Sequence, residues 1–176
     1  MRKPKKRRVK QNLLLKTLPP LLAILLQSVT AFPQSRGLEQ QFQKAQELET
    51  QGRLDEAAKT YQEILKSDPK NLPVLSALGV VLARQKRYAE AVRYYRQALA
   101  IKPQNFSTQL NLGLSYFKMG EFRSAIAPLK TALALEPSNA QAATLLGMAY
   151  FGAGDYRHAV EPLRSVASAD PTNSTL

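Results

Sequence analysis

The sequence predicts an all-α protein, a solenoid of four tandem helix–turn–helix units, and three observations carry this. An acidic or basic residue followed by proline recurs as Asp68-Pro69, Lys102-Pro103, Glu136-Pro137 and Asp170-Pro171, each proline 34 residues after the last. Small residues keep the same register: Ala57, Ala91, Ala125 and Ala159 stand twelve positions before the proline, and Ala45, Gly79, Gly113 and Gly147 stand twenty-four before it. Large residues fill two further columns, Tyr61, Tyr95, Leu129 and Leu163, and Leu48, Leu82, Tyr116 and Tyr150. A fixed period of this length marks a stacked-repeat architecture.

Each unit is long enough for two helices of about a dozen residues and two short turns. Small residues let the two helices of a pair approach closely, and the large residues fill the space between pairs. Gly52, Lys86, Gly120 and Gly154 fall at the turn inside each unit, where a left-handed residue commonly ends a first helix. Proline ends the second helix, because it disfavours the helical state of the residue before it. Pro128 and Pro162 share one column inside second helices, so they read as common helix geometry. One such pair cannot bury its own apolar face, whereas stacked neighbours do so together. The units are expected at 38–71, 72–105, 106–139 and 140–173, after a linker at 32–37, with 174–176 opening a truncated fifth repeat.

The N-terminal segment is set apart by its charge. The formal net charge is +12, yet nine Lys and Arg fall within residues 1–36 with no acid among them, which leaves +3 for the rest. A basic run at 2–10 precedes leucine-rich residues 13–26 and a small-residue exit at Val29 and Ala31. These are the three parts of a secretory signal. Residues 1–31 are therefore expected to direct export to the periplasm or outside, with cleavage after Ala31. The alternative is an uncleaved anchor to the inner membrane, so membrane association is expected through residues 13–31. Pro4 to Lys10 alone would match a nuclear-import pattern, for which the leucines behind it have no use.

The units resemble the tetratricopeptide repeat family. The likeness is carried by Leu78-Gly79, Leu82, Tyr88, Ala91, Tyr95, Ala98 and Pro103, by Leu112-Gly113, Tyr116, Gly120, Ala125, Ala132 and Pro137, and by Leu146-Gly147, Tyr150, Gly154, Ala159 and Pro171. The first unit has Lys44-Ala45 for Leu-Gly and recovers with Gly52, Ala57, Tyr61 and Pro69. The resemblance implies a right-handed solenoid whose first helices line a concave groove that binds a protein segment. Projected onto that groove, the inward positions include Gln46 and Glu49 in the first unit and Ala77 and Ala83 in the second. The candidate peptide-contacting residues are Val80, Arg84, Leu110, Asn111, Leu114, Phe117, Lys118, Leu145, Met148 and Phe151. Leu110, Leu114, Phe117, Leu145, Met148 and Phe151 are expected to form one exposed apolar strip, suited to an amphipathic helix or an extended peptide. The clamp with which some family members hold a carboxyl terminus is not expected here. Only Asn111 falls in a suitable place, and Phe42, Gln46, Ala77 and Ser107, or Ser76, Val80, Gln141 and Leu145, fill the others.

No catalytic, cofactor-binding or metal site is expected. The chain has no cysteine and a single histidine, His158, so it is poor in metal ligands and nucleophiles. Asp155, His158 and Ser165 are the one Ser/His/Asp grouping, and read as a helix-start acid and a solvated histidine. Gly152-Ala153-Gly154 lacks the lysine of a phosphate loop. Arg84, Lys86, Arg87, Arg93, Arg96 and Lys102 make the second unit basic against Glu90, and read as a solvated face. Nucleic-acid binding is not expected, because basic and aromatic residues do not interleave on one surface. The expected function is a non-enzymatic, exported scaffold with a protein or peptide partner. The alternative is the substrate-recruiting repeat region of a larger transferase or regulator. Without a polar capping helix, the fourth unit is also expected to leave an apolar face for self-association.

Overall fold

The computed structural model describes residues 33–169, with side chains described for 36–166. The signal or anchor expected at 1–31 and the fifth repeat expected at 174–176 lie outside the described residues. The repeats from residue 41 on form one compact unit.

The described residues form eight helices: α1 (Pro33–Thr50), α2 (Leu54–Ser67), α3 (Leu72–Arg84), α4 (Tyr88–Ile101), α5 (Phe106–Lys118), α6 (Phe122–Leu135), α7 (Ala140–Gly152) and α8 (Tyr156–Ala169). Each odd-numbered helix pairs with the one after it and each pair packs on the next, which makes the solenoid. Helix α1 already begins at Pro33, so the stretch expected as a linker at 32–37 is helical from its second residue.

The turn inside each unit follows one plan. Gly52, Lys86, Gly120 and Gly154 have φ of 75°, 61°, 75° and 80°. The next residue closes the first helix with a long backbone bond: Arg53 to the carbonyl of Leu48, Arg87 to Leu82, Glu121 to Tyr116 and Asp155 to Tyr150, each at 2.9 Å. This is the Schellman closure, which satisfies carbonyls that the helix end leaves open. Between units the chain straightens. Asp68, Lys102 and Glu136 have φ between −134° and −132°, the extended state that a following proline favours. Asn71, Asn105 and Asn139 then cap α3, α5 and α7 by accepting from the N–H of Val74, Thr108 and Ala142 at 3.2, 3.0 and 3.0 Å.

The core lies between the helices of each pair and between pairs. Ala57, Ala91 and Ala125 are fully buried, as are Tyr61 and Leu129, with Tyr95 at 1% exposure. Burial pushes the hydroxyl pKa of Tyr61 and of Tyr95 well above the ordinary tyrosine value; for Tyr61 a hydrogen bond to Glu49 adds to it. Pro128, although inside α6, is buried as well.

Candidate functional site

The first helices present their non-core faces in register. Two adjoining hollows open along them. One, of about 490 Å³, is lined by Gln46, Glu49 and Thr50 of α1, Tyr61 of α2, and Ala77, Val80 and Arg84 of α3. The other, of about 280 Å³, is lined by Val80, Ala83 and Arg84 of α3, Tyr88 and Tyr95 of α4, and Asn111, Leu114, Ser115 and Lys118 of α5. Val80 and Arg84 belong to both, so the hollows form one groove across three repeats.

The groove is polar at one end and apolar at the other. In the first hollow Glu49 accepts a 2.6 Å hydrogen bond from the Tyr61 hydroxyl, and its second oxygen lies 3.7 Å from Arg84 Nη1. Neither the Lys118 ammonium nor the Asn111 amide is bonded to any described residue. The second hollow therefore combines the apolar walls Val80, Ala83 and Leu114 with unengaged donors, the arrangement that lets a pocket hold an apolar group and fix its orientation.

Five of the ten candidate residues meet here: Val80, Arg84, Asn111, Leu114 and Lys118. The other five do not, and the single apolar strip expected from the sequence is broken. Leu110 is only 7% exposed and belongs to the core, one helical step away from Asn111. Phe117 packs edge-on against Phe122 at 5.3 Å, which holds it over the start of its own second helix. Leu145 is half-buried, Met148 is exposed, and Phe151 makes the same kind of edge contact with Tyr156 at 5.2 Å. These three line neither hollow. Phe117 and Phe151 are thirty-four residues apart, so their shared geometry is a property of the repeat. Conversely, Tyr88 and Tyr95 line the groove from a second helix. Projecting first helices alone leaves them out, although both were already visible as repeat-defining aromatics.

The Asp155–His158 pair also has a repeat explanation. His158 Nδ1 lies 2.8 Å from the Asp155 carboxylate, and its backbone N–H donates to Asp155 Oδ1 at 3.4 Å. The same two columns hold Arg53–Glu56 and Arg87–Glu90, each a bidentate pair across the start of a second helix. Asp155 and His158 are that clasp with acid and base exchanged, and the hydrogen bond from His158 lowers the Asp155 pKa. Ser165 donates to the carbonyl of Pro162 at 2.7 Å.

The last described pair differs from the others on its outer side. Tyr156 is 62% and Val160 49% exposed, whereas Val92, two repeats earlier in the Val160 column, is 7% exposed. In α4 that column is buried.

Tetratricopeptide repeat profiles match residues 42–106, 82–148 and 116–176. The chain belongs to the tetratricopeptide repeat family. Solved structures of similar shape include a MamA crystal structure, 27% identical with a TM-score of 0.69 over 72% of this chain and 74% of that one. Another MamA protein is 25% identical with a TM-score of 0.73, over 76% and 73% of the two chains. MamA residues 41 to the end from Desulfovibrio magneticus RS-1 are 22% identical with a TM-score of 0.71, over 78% of each chain. Among curated proteins no relative of the chain is found. As a tetratricopeptide repeat protein the chain is built as a protein–protein interaction scaffold.

Proposed function

We propose that the chain is an exported scaffold that holds an extended or helical segment of a partner protein in the groove between α1 and α5. The observation that carries this reading is the pair of hollows sharing Val80 and Arg84. They offer apolar walls and unengaged polar groups on one continuous face, the combination used to anchor alternate side chains of a bound segment. Export rests on the basic and leucine-rich composition of residues 2–31. Self-association through Tyr156 and Val160 of α8 is a further property of the same reading.

Random dodecapeptides selected on the full-length protein test the groove. Selected peptides are expected to lose at least tenfold in affinity on Leu114→Glu or Val80→Glu. Both residues are only half-buried, so helical content by circular dichroism is expected to survive. Peptides that bind these folded variants as tightly as the wild type would place the partner surface elsewhere. Export is tested by N-terminal sequencing from the native host. A start at Phe32 outside the cytoplasm supports cleavage, a start at Met1 in the membrane fraction replaces it with an anchor, and a soluble cytoplasmic chain starting at Met1 removes export altogether.

A further inference from the structure

The second helices carry an array of cations that the groove does not use. Facing away from the buried Ala91, Tyr95 and Ala98 column, α4 bears Arg93 and Arg96, α6 bears Arg123 and Lys130, and α8 bears Arg157 and Arg164, all exposed. They occupy a few repeating positions. Arg123 and Arg157 share one column with Ala89, Arg93 shares another with Ala127 and Glu161, and Arg96, Lys130 and Arg164 form a third. From the second repeat on, Glu161 is the one acid in these columns, set against six cations. In the first repeat the same three columns hold Asp55, Lys59 and Gln62, so the array begins at the second repeat.

It is only partly balanced from within. Glu161 reaches Arg164 only at 3.5 Å, with both side chains largely in solvent. Arg96 lies over the Tyr116 ring at 5.6 Å. Arg93 and Arg157 act electrostatically on Glu90 and Asp155 without a hydrogen bond or close ion pair, and Arg123 and Lys130 form neither with any described residue.

We infer that this outer face of α4, α6 and α8 docks on an anionic lipid surface. Two features favour lipid headgroups over a single polyanionic strand. Seven residues separate the two cations on α6 and the two on α8, about 10 Å along each helix, and the set spans three successive helices, so the charges cover an area. Between them stand Ala89, Ala100, Ala127 and Ala134, exposed and short, which lets a broad surface approach the guanidinium groups. No bulky apolar side chain stands in these columns, so the attachment is electrostatic and reversible by salt. The basic and leucine-rich residues 2–31, on the export or anchor reading, would also bring the chain to a membrane. The inference does not depend on the groove reading.

Because the chain has no cysteine, one environment-sensitive fluorophore on full-length Ala127→Cys reports on this face alone, whatever residues 2–31 do. The fluorophore is expected to be quenched by headgroup-labelled lipid in mixed phosphatidylcholine–phosphatidylglycerol vesicles, but not in phosphatidylcholine alone. Half-molar salt is expected to release it. The same fluorophore on Gln141→Cys, exposed on α7, is expected to stay unquenched. The combined Arg123→Gln, Lys130→Gln and Arg157→Gln variant is expected to weaken quenching at least tenfold with helical content unchanged. Vesicle-bound protein whose Ala127→Cys label stays silent, equal quenching on neutral vesicles, or an unaffected triple variant would each overturn the inference. Protection of the label by single-stranded DNA without quenching by any vesicle would assign the face to nucleic acid and overturn it as well.

Discussion

A side chain on Gly79 would stand inside the ring of Tyr95: a carbon placed there lies 2.7 Å from Cδ1 and 2.9 Å from Cζ. The same relationship joins Gly113 to Leu129 Cγ and Gly147 to Leu163 Cγ, each at 2.5 Å. The small column of each first helix is thus the floor on which the large column of its own second helix rests. Gly79→Ala gains helix propensity of about 1 kcal/mol but must move a fully packed tyrosine, an overpacking cost of about 1–3 kcal/mol. Ala45 already holds this column in the first repeat, so the helix pair can open far enough for a methyl. A net loss of about 1 kcal/mol, and at most about 2, in urea denaturation is expected, and an unchanged midpoint would show that the pairs are looser than the contact implies.

Lys86 is the one turn residue that departs from glycine, and the structure does not spare it. Its φ of 61° lies with those of Gly52, Gly120 and Gly154, because the backbone bond from Arg87 to Leu82 closes the same turn. A left-handed residue with a Cβ costs about 1–2 kcal/mol, and part of that returns as the entropy that glycine loses on folding. Lys86→Gly is expected to raise stability by about 0.5–1 kcal/mol, read as a higher thermal midpoint with unchanged helicity.

Asparagine at the start of a first helix is a separate device. Asn105 accepts both the backbone N–H and the hydroxyl of Thr108, each at 3.0 Å. Asn105→Ala is expected to cost about 1 kcal/mol, and Asn105→Asp considerably less, because a carboxylate at a helix N-terminus accepts the same bond and meets the positive end of the dipole. Equal losses for the two variants would mean that the cap adds nothing beyond a permissive backbone.

The repeat columns were legible because each is a steric requirement met once every 34 residues. The proline junctions, the turn glycines and the Ala57, Ala91 and Ala125 contacts each restrict residue type. The caps Asn71, Asn105 and Asn139 obey the same period, yet their role is fixed by which N–H they face, and that is a property of the folded backbone. The groove was only half legible for a related reason. Leu110 and Asn111 differ by one helical step, and the step decides between core and surface. Tyr88 and Tyr95 reach the groove from a neighbouring helix, a contact that projecting each first helix alone cannot contain. Asp155 and His158 became intelligible once Arg53–Glu56 and Arg87–Glu90 were seen in the same two columns.

Tyrosines at the core carry the last prediction. Burial holds the hydroxyls of Tyr61 and Tyr95 above the ordinary tyrosine value of 10.0. Above pH 10 the unfolded chain therefore releases these protons while the native chain keeps them, so stability is full below pH 10 and falls as the pH rises past it. Urea midpoints measured from pH 8 to 11 are expected to show this alkaline decline, and Tyr95→Phe is expected to flatten it. At neutral pH, Tyr61→Phe gives up the 2.6 Å bond to Glu49 and is expected to cost about 1 kcal/mol. Tyr116→Phe is the contrast. The Tyr116 hydroxyl is buried with no hydrogen-bond partner, so removing it relieves a desolvated group and is expected to be neutral or stabilising by up to about 1 kcal/mol. A Tyr116→Phe loss as large as that of Tyr61→Phe would instead mean that a water bridges this hydroxyl in solution.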